Sequence, residues 1–332
     1  MGFKRLDAED FLVSSTTVSS TVWSNNQPTL TTFFTSSTQA EGSSGPFHLN
    51  VFQTGSEQPE AEIQFSIAFA SKKGKGTPVY NANISELSPS RSVYGQYRNL
   101  ILEDEEKDFI FGEGPIREEF YVISIERARY KEKLLPGSLN ITLETTDGQI
   151  TLTDNSQDVE LPEFFGTQRA FQIVSGSNGS GDFLASGESY GLFFPDISTI
   201  ILNSSTLDAI SPNGGIDLGT NTGDNVNGQN PQKLFEAINE GGSFSLNTQE
   251  TITSNFVFIR ARNSEFNYTE NPSFVNPDGE VIYDDFINDP KVYATTIGLY
   301  NDENELLAVA KISKPLQKDF TKEALIRVKL DF

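Results

Sequence analysis

From residue 47 onward, apolar and polar positions alternate with a period of two over much of the chain. In AEIQFSIAFAS, Ile63, Phe65, Ile67 and Phe69 alternate with Glu62, Gln64, Ser66 and Ala68, the signature of a half-buried strand. FHLNVFQT upstream follows the same rule. Leu139, Ile141 and Leu143 alternate with polar residues, Asp147-Gly148 supplies turn residues, and Ile150 and Leu152 resume the pattern, which predicts a hairpin. NFVFIRAR, KVYATTIGLYNDENELLAVAKIS and EALIRVKLDF predict further strands, the second a hairpin across Asn301 to Asn304. Two segments change period. SPSRSVYGQYRNLIL offers Ser88 or Ser90 as a cap and spaces Val93, Tyr97, Leu100 and Ile101 as one helical face. PQKLFEAINEGG places Pro231 at a helix start, Leu234, Phe235 and Ile238 on one face and Gly241 as a stop. A long antiparallel meander leaves no room for a βαβ crossover. The predicted fold is mainly β: antiparallel β-sandwich modules with two short helices and long Gly/Ser/Asn-rich loops.

Punctuation along the chain predicts an extended N-terminal arm at 1–45, a β domain at 46–155, a loop-rich β insertion at 156–231 and a C-terminal β module at 232–332. Residues 13–44 are dominated by Ser and Thr, with isolated anchors at Val22, Trp23, Leu30, Phe33 and Phe34. So few apolar groups build no core of their own, so the tract is either a loosely packed arm or a docking arm that inserts Trp23, Phe33 and Phe34 into a neighbour. PNGGIDLGTNTGDNVNGQNP at 212–231 is almost pure turn residue and reads as a surface loop. An echo links ISIERARYKEKLLPGSL with FVFIRARNSEFNYTENPSF; each runs strand, Arg-Ala-Arg, loop, Pro and Ser, as two related β modules would.

Charge narrows the partners. Lys and Arg total 24 against 46 Asp and Glu, a formal charge of −22. Nucleic acid and anionic membrane both require a positive face, so neither is an expected partner. The start, MGFKRLDAEDF, puts acids after its basic pair where a secretory signal needs an apolar run, and no 18 apolar residues follow one another, so a soluble, non-exported product is expected. The chain has no cysteine and one histidine. Disulfides, thiolate chemistry and multi-histidine metal sites are thereby excluded within one chain, and His48 falls on the polar face of its strand pattern.

The remaining chemistry is carboxylate, amine and hydroxyl. The run EDEEKD at 103–108 reads as a solvated turn, since calcium loops space their carboxylates around glycine. The EF-hand template fails at Asp224 to Gly228 and at Asn276 to Gly279, so no metal is expected. Asp284 with Asp285, or Glu118 with Glu119, point to opposite faces of a strand and form no glycosidase pair by themselves. GEGPI at 112–116, GSNGSGD at 176–182 and PNGGID at 212–217 lack the phosphate-loop Lys and the dinucleotide spacing, so no cofactor is expected and no catalytic residue is assigned. RARYKEK at 127–133 is the one basic concentration. On so acidic a molecule it is expected to meet an acidic surface, such as EDEEKD of a second copy, with Arg127 and Arg129 in the interface.

The C-terminal stretch KVYATTIGLYNDENELLAVAKISKPLQKDFTKEALIRVKLDF resembles a module of virion structural proteins from contractile-tailed bacteriophages, especially large myoviruses of cyanobacteria. Its core, TTIGLYNDENELLAVAK, is similar to the EIGLYDxDGxLIAVG hairpin of phage tail-fibre and tail-collar adaptor domains. It departs from them in a turn, Asn301 to Asn304, without glycine and in lying near the C terminus. VWSNNQPTLTTFFTSS, YGQYRNLILEDEEKDFIFG and RARYKEKLLPGSLNITL resemble the same class. The resemblance implies a non-enzymatic tail component of a virion, in the baseplate, collar or fibre attachment, assembled in the bacterial cytoplasm. Its implied partners are other phage structural proteins and copies of itself in a symmetric assembly. Alternatives are a capsid-decorating or neck protein and a carbohydrate-binding host-recognition module that stacks sugars on Tyr190, Phe193 and Phe194.

Overall fold

A computed structural model of the protein describes residues 3–35, 48–76, 88–146, 148–208 and 229–331. Asp147 and the loop at 209–228, with the Asp224 template and the PNGGID turn, lie outside the described residues. The protein is mainly β, with 46% strand against 14% helix, as the period-two pattern predicts. Contacts divide it into a large unit, residues 18–250, and a small unit of 3–17 with 251–331; the division falls inside two strands.

In chain order the first elements are β1 (Phe11–Thr21), β2 (Thr29–Leu30), β3 (Phe34–Thr35), β4 (His48–Phe52), β5 (Ile63–Ser71) and helix α1 (Pro89–Ile101). There follow β6 (Phe109–Ile110), β7 (Ile116–Arg117), β8 (Glu119–Ile125), β9 (Lys133–Leu134), β10 (Asn140–Thr145) and β11 (Gly148–Asp154). The middle third holds β12 (Glu163–Phe165), β13 (Gln168–Ser177), β14 (Ser180–Asp182), β15 (Gly191–Phe194), β16 (Thr199–Asn203) and α2 (Ser204–Asp208). The rest comprises α3 (Gln229–Gly241), β17 (Phe244–Ser245), β18 (Asn247–Ala261), α4 (Asp284–Asn288), β19 (Val292–Tyr300), β20 (Leu306–Lys318) and β21 (Ala324–Asp331).

The large unit is built on one antiparallel sheet with the order β2-β17-β10-β11-β13-β15-β16-β8-β5-β4-β3. Its two ends, β2 and β3, are joined by residues 31–33 alone. The four-residue step from Leu30 to Phe34 spans at most about 14 Å of extended chain. The sheet therefore curls until its ends meet, and opposite halves face each other across one core, in the manner of a β-sandwich. Phe65 on β5 and Phe244 on β17 lie 5.3 Å apart between ring centroids, and Trp23 packs on both, 4.9 Å from Phe244.

Alternation is written on both faces of the central strands. Phe65, Ile67, Phe69, Tyr121, Ile123, Phe193 and Ile200 enter the inner core. Their neighbours Ala70, Phe120, Val122, Leu192, Phe194 and Ile201 enter an outer core with Tyr94, Ile101, Phe109 and Phe111. α3 lies within the curl, against β10 on one side and β5 on the other, with Leu234 and Ile238 fully buried, as its spacing predicts. α1 covers the other face of β5, so this strand is buried on both sides rather than half-buried. Ser88 stands at the N-cap of α1, but its side chain makes no cap bond; its hydroxyl meets that of Ser90 instead. Leu100 points outward, and Tyr94 takes the inward place beside Ile101. Each large apolar side chain withdrawn from water stabilises by about 1.5–3 kcal/mol, so the two clusters carry most of the unit's stability.

These pairings redraw the predicted boundaries. β13, β15 and β16, from the segment read as an insertion, stand between β11 and β8 in the middle of the sheet. Residues 18–35 are not an arm, because Trp23, Leu30 and Phe33 complete the inner core and β2 and β3 join the sheet's ends. The two Arg-Ala-Arg steps differ: Arg127–Arg129 is a 3-10 turn, whereas Arg260 and Ala261 sit in strand opposite Leu325 and Ala324.

In the small unit, β18 from Ser254 to Ala261 pairs with β21, and β19 pairs with β20 as the predicted hairpin. Two turns of this unit share one geometry. Asn276 and Asn301 each donate their backbone N–H to the carbonyl of the Glu four residues on, and each side-chain oxygen accepts that Glu's N–H, at 2.8 and 2.7 Å. The fourth position of each turn needs positive φ; Gly279 has φ 86° and Asn304 φ 65°. Asn304 therefore does the work of the glycine absent from this hairpin, since Asn tolerates the left-handed region better than other side chains.

Candidate functional site

The titratable groups of the large unit are engaged in holding loops. Asp154 is buried and accepts the backbone N–H groups of Gly137, at 2.9 Å, and Ser156, at 3.1 Å. Burial pushes its carboxyl above the usual range despite those bonds. Asp108 is subject to the same desolvation, but hydrogen bonds from Lys72 and Tyr94, at 2.7 and 2.8 Å, hold it below that range. Burial and the bond to Asp108 raise the Tyr94 phenol. Glu188 receives a two-pronged bond from Arg117 and a third from Asn203. Glu118 pairs with Lys73, and Glu119 accepts from Ser71. Among the described residues no three carboxylate or histidine groups gather to hold a metal.

Two cavities open on the large unit. One, of about 320 Å³, is lined by Val93, Gln96 and Tyr97 of α1 and by His48, Ser66 and Ser124 of the adjoining strands. It brings the single imidazole near hydroxyls, yet none of its lining residues is an acid, so no Ser-His-Asp set is assembled there. The other, of about 260 Å³, brings Trp23 together with Arg129, Tyr130 and Lys131, two regions that the sequence keeps a hundred residues apart. Both of its cations have carboxylate partners: Arg129 donates to Glu62 at 2.7 Å, and Lys131 lies 3.7 Å from Glu250.

Of the five predicted interface residues, Trp23 and Phe33 fill the chain's own core, and Phe34 beside them is 43% exposed. Arg129 is paired within the unit, whereas Arg127 is exposed, lying 4.7 Å from the Tyr130 ring and donating to the Tyr130 carbonyl. Tyr190, Phe193 and Phe194 are buried, because β15 is covered on both faces, and so offer no platform for a sugar.

The apolar surface left open lies in the small unit. Among its described residues only Val257, Ala261, Val275, Ala324 and Val328 are buried apolar side chains, while sixteen large ones stand exposed. Among its described residues the large unit has the opposite balance, with forty-four buried against nine exposed. On the hairpin, Tyr293, Tyr300, Leu306, Leu307 and Val309 are all exposed, Leu307 to 68%. Phe3 meets Tyr300 edge-on at 5.1 Å, and both remain open to solvent. Soluble monomers seldom expose clustered apolar surface without a use for it, and the common use is contact with another macromolecule. The two-sided apolar pattern of TTIGLY and LLAVAK carries this signal in the sequence; the exposure of Leu12 and Val13 has none.

No protein-family model, curated protein or solved structure matches the chain. No helix among the described residues is long and apolar enough to cross a membrane.

Proposed function

We propose that this chain is a non-enzymatic structural component of a phage virion, a tail protein of the baseplate, collar or fibre attachment, acting through subunit packing. The observation that carries the reading is the inverted burial of the small unit, centred on the hairpin that resembles tail-fibre and collar adaptor domains. A unit with so few buried apolar groups gains stability when a neighbour covers it, and a sheet with two open faces suits a place between subunits. The engaged state of Asp108, Asp154 and Glu188 agrees with a scaffold role, because each carboxylate is spent on loop geometry. Mass spectrometry of purified phage particles tests the proposal. The chain is expected in tailed particles at a fixed copy number and missing from tailless heads. Presence in heads moves it to the capsid or neck, and absence from all particles ends the structural reading.

A further inference from the structure

We infer that the free edge of β1 pairs with β1 of a second copy, antiparallel across a twofold axis, to join two small units into one sheet. The inference deepens the subunit-packing reading and rests on it. β18 lies between β1 and β21, so among the described residues β1 has a strand on one edge only. From Phe11 to Thr17, the stretch in the small unit, every residue but the half-buried Ser14 is exposed, including Phe11, Leu12 and Val13. An open edge offers unpaired N–H and C=O groups, and proteins that must stay monomeric guard such edges with charges, proline or bulges.

The same unit applies those guards elsewhere. β21 points Arg327, Lys329 and Asp331 to solvent along its exposed face, and β20 carries Lys311, Lys314 and Pro315. β1 has none. No Asp, Glu, Lys or Arg occurs between Asp10 and Glu41, although the whole chain holds 70 such residues. Two copies of a molecule charged to −22 repel along most approaches. Along β1 they meet without opposing like charges, and identical Ser/Thr/Val-rich edges are self-complementary under a twofold. A seven-residue edge buries less than a standard interface, so the free dimer is expected to be weak, with a dissociation constant on the order of micromolar.

The absence of native cysteine makes the test direct. Single cysteines are placed at Leu12, Ser14 and Thr16 in the full chain, with Leu325→Cys on the charged β21 as control, and each is treated with a mild thiol oxidant. Antiparallel pairing across a twofold brings only the position at the axis opposite its own copy, so the inference expects one of the β1 positions to give at least tenfold more disulfide dimer than the control. It also expects Val13→Lys/Ser15→Lys to abolish dimers in sedimentation while the circular dichroism spectrum stays unchanged. A chain that remains monomeric at high concentration, or a dimer that forms equally through Leu325→Cys or survives the lysine pair, overturns the edge pairing. Particle composition is untouched by that failure, so the two readings fall separately.

Discussion

Asn304, at φ 65°, holds the conformation that Gly279 holds in the sister turn. Asn304→Gly is expected to stabilise the small unit by up to about 1 kcal/mol, and Asn304→Val to cost about 1–2 kcal/mol, both read by chemical denaturation. Removing the side-chain acceptor with Asn301→Ala is expected to cost about 1 kcal/mol. The carboxylates of buried Asp154 and half-buried Asp108 respond to pH with opposite signs. Asp154, raised by burial, favours the folded state when protonated, and that contribution is lost as pH rises through its folded pKa. Asp108, lowered by Lys72 and Tyr94, contributes above the ordinary carboxylate pKa, and that contribution is lost as pH falls through its folded value. Urea denaturation across acid to neutral pH should therefore show Asp154→Asn removing a fall in stability with rising pH and Asp108→Asn removing a rise. Slopes unchanged by either substitution would contradict the assignment. The turn was legible as polar punctuation, but the equivalence of NPDGE and NDENE depends on a backbone angle that residue type only permits.

At the scale of elements, α1 and α3 were readable because a 3.6-residue period is local. Sheet order was not, because β8 joins β5 and β16 across the intervening stretches 72–118 and 126–198, and pairing of distant strands leaves no mark in either one alone. Trp23 looked like an anchor for a neighbour for the same reason: its partners Phe65 and Phe244 come from opposite ends of the sheet. Trp23→Ala is expected to lose about 3–5 kcal/mol, whereas Phe34→Ala, at a largely exposed position, is expected to lose under about 1 kcal/mol. Equal losses would restore the picture of a free arm. Gly241 reads as a helix stop, but a Cβ there would come within 2.1 Å of the Thr142 carbonyl oxygen. Gly241→Ala is thus expected to destabilise by about 1–3 kcal/mol, against the helix propensity of alanine, as a thermal melt of the full chain would register.

For the molecule as a whole, the two units differ in what they bury. The large unit spends its apolar residues on two cores, and the small unit leaves most of its own outside. Composition favours a protein of shape over one of bond-making, since the missing thiols and single imidazole are visible at once. The two-sided apolar pattern of TTIGLY and LLAVAK asks for cover on both faces, but whether the chain itself supplies that cover was not visible, because exposure is a property of the packed chain. The central claim, that this uncovered surface holds the protein in a particle, is tested most directly by placing Leu307→Glu/Val309→Glu in the encoding gene and measuring the chain's copy number in purified phage particles. Both side chains are exposed, so the variant is expected to fold and accumulate normally yet fall at least tenfold in purified particles. An unchanged copy number, with normal particle assembly, would contradict the account.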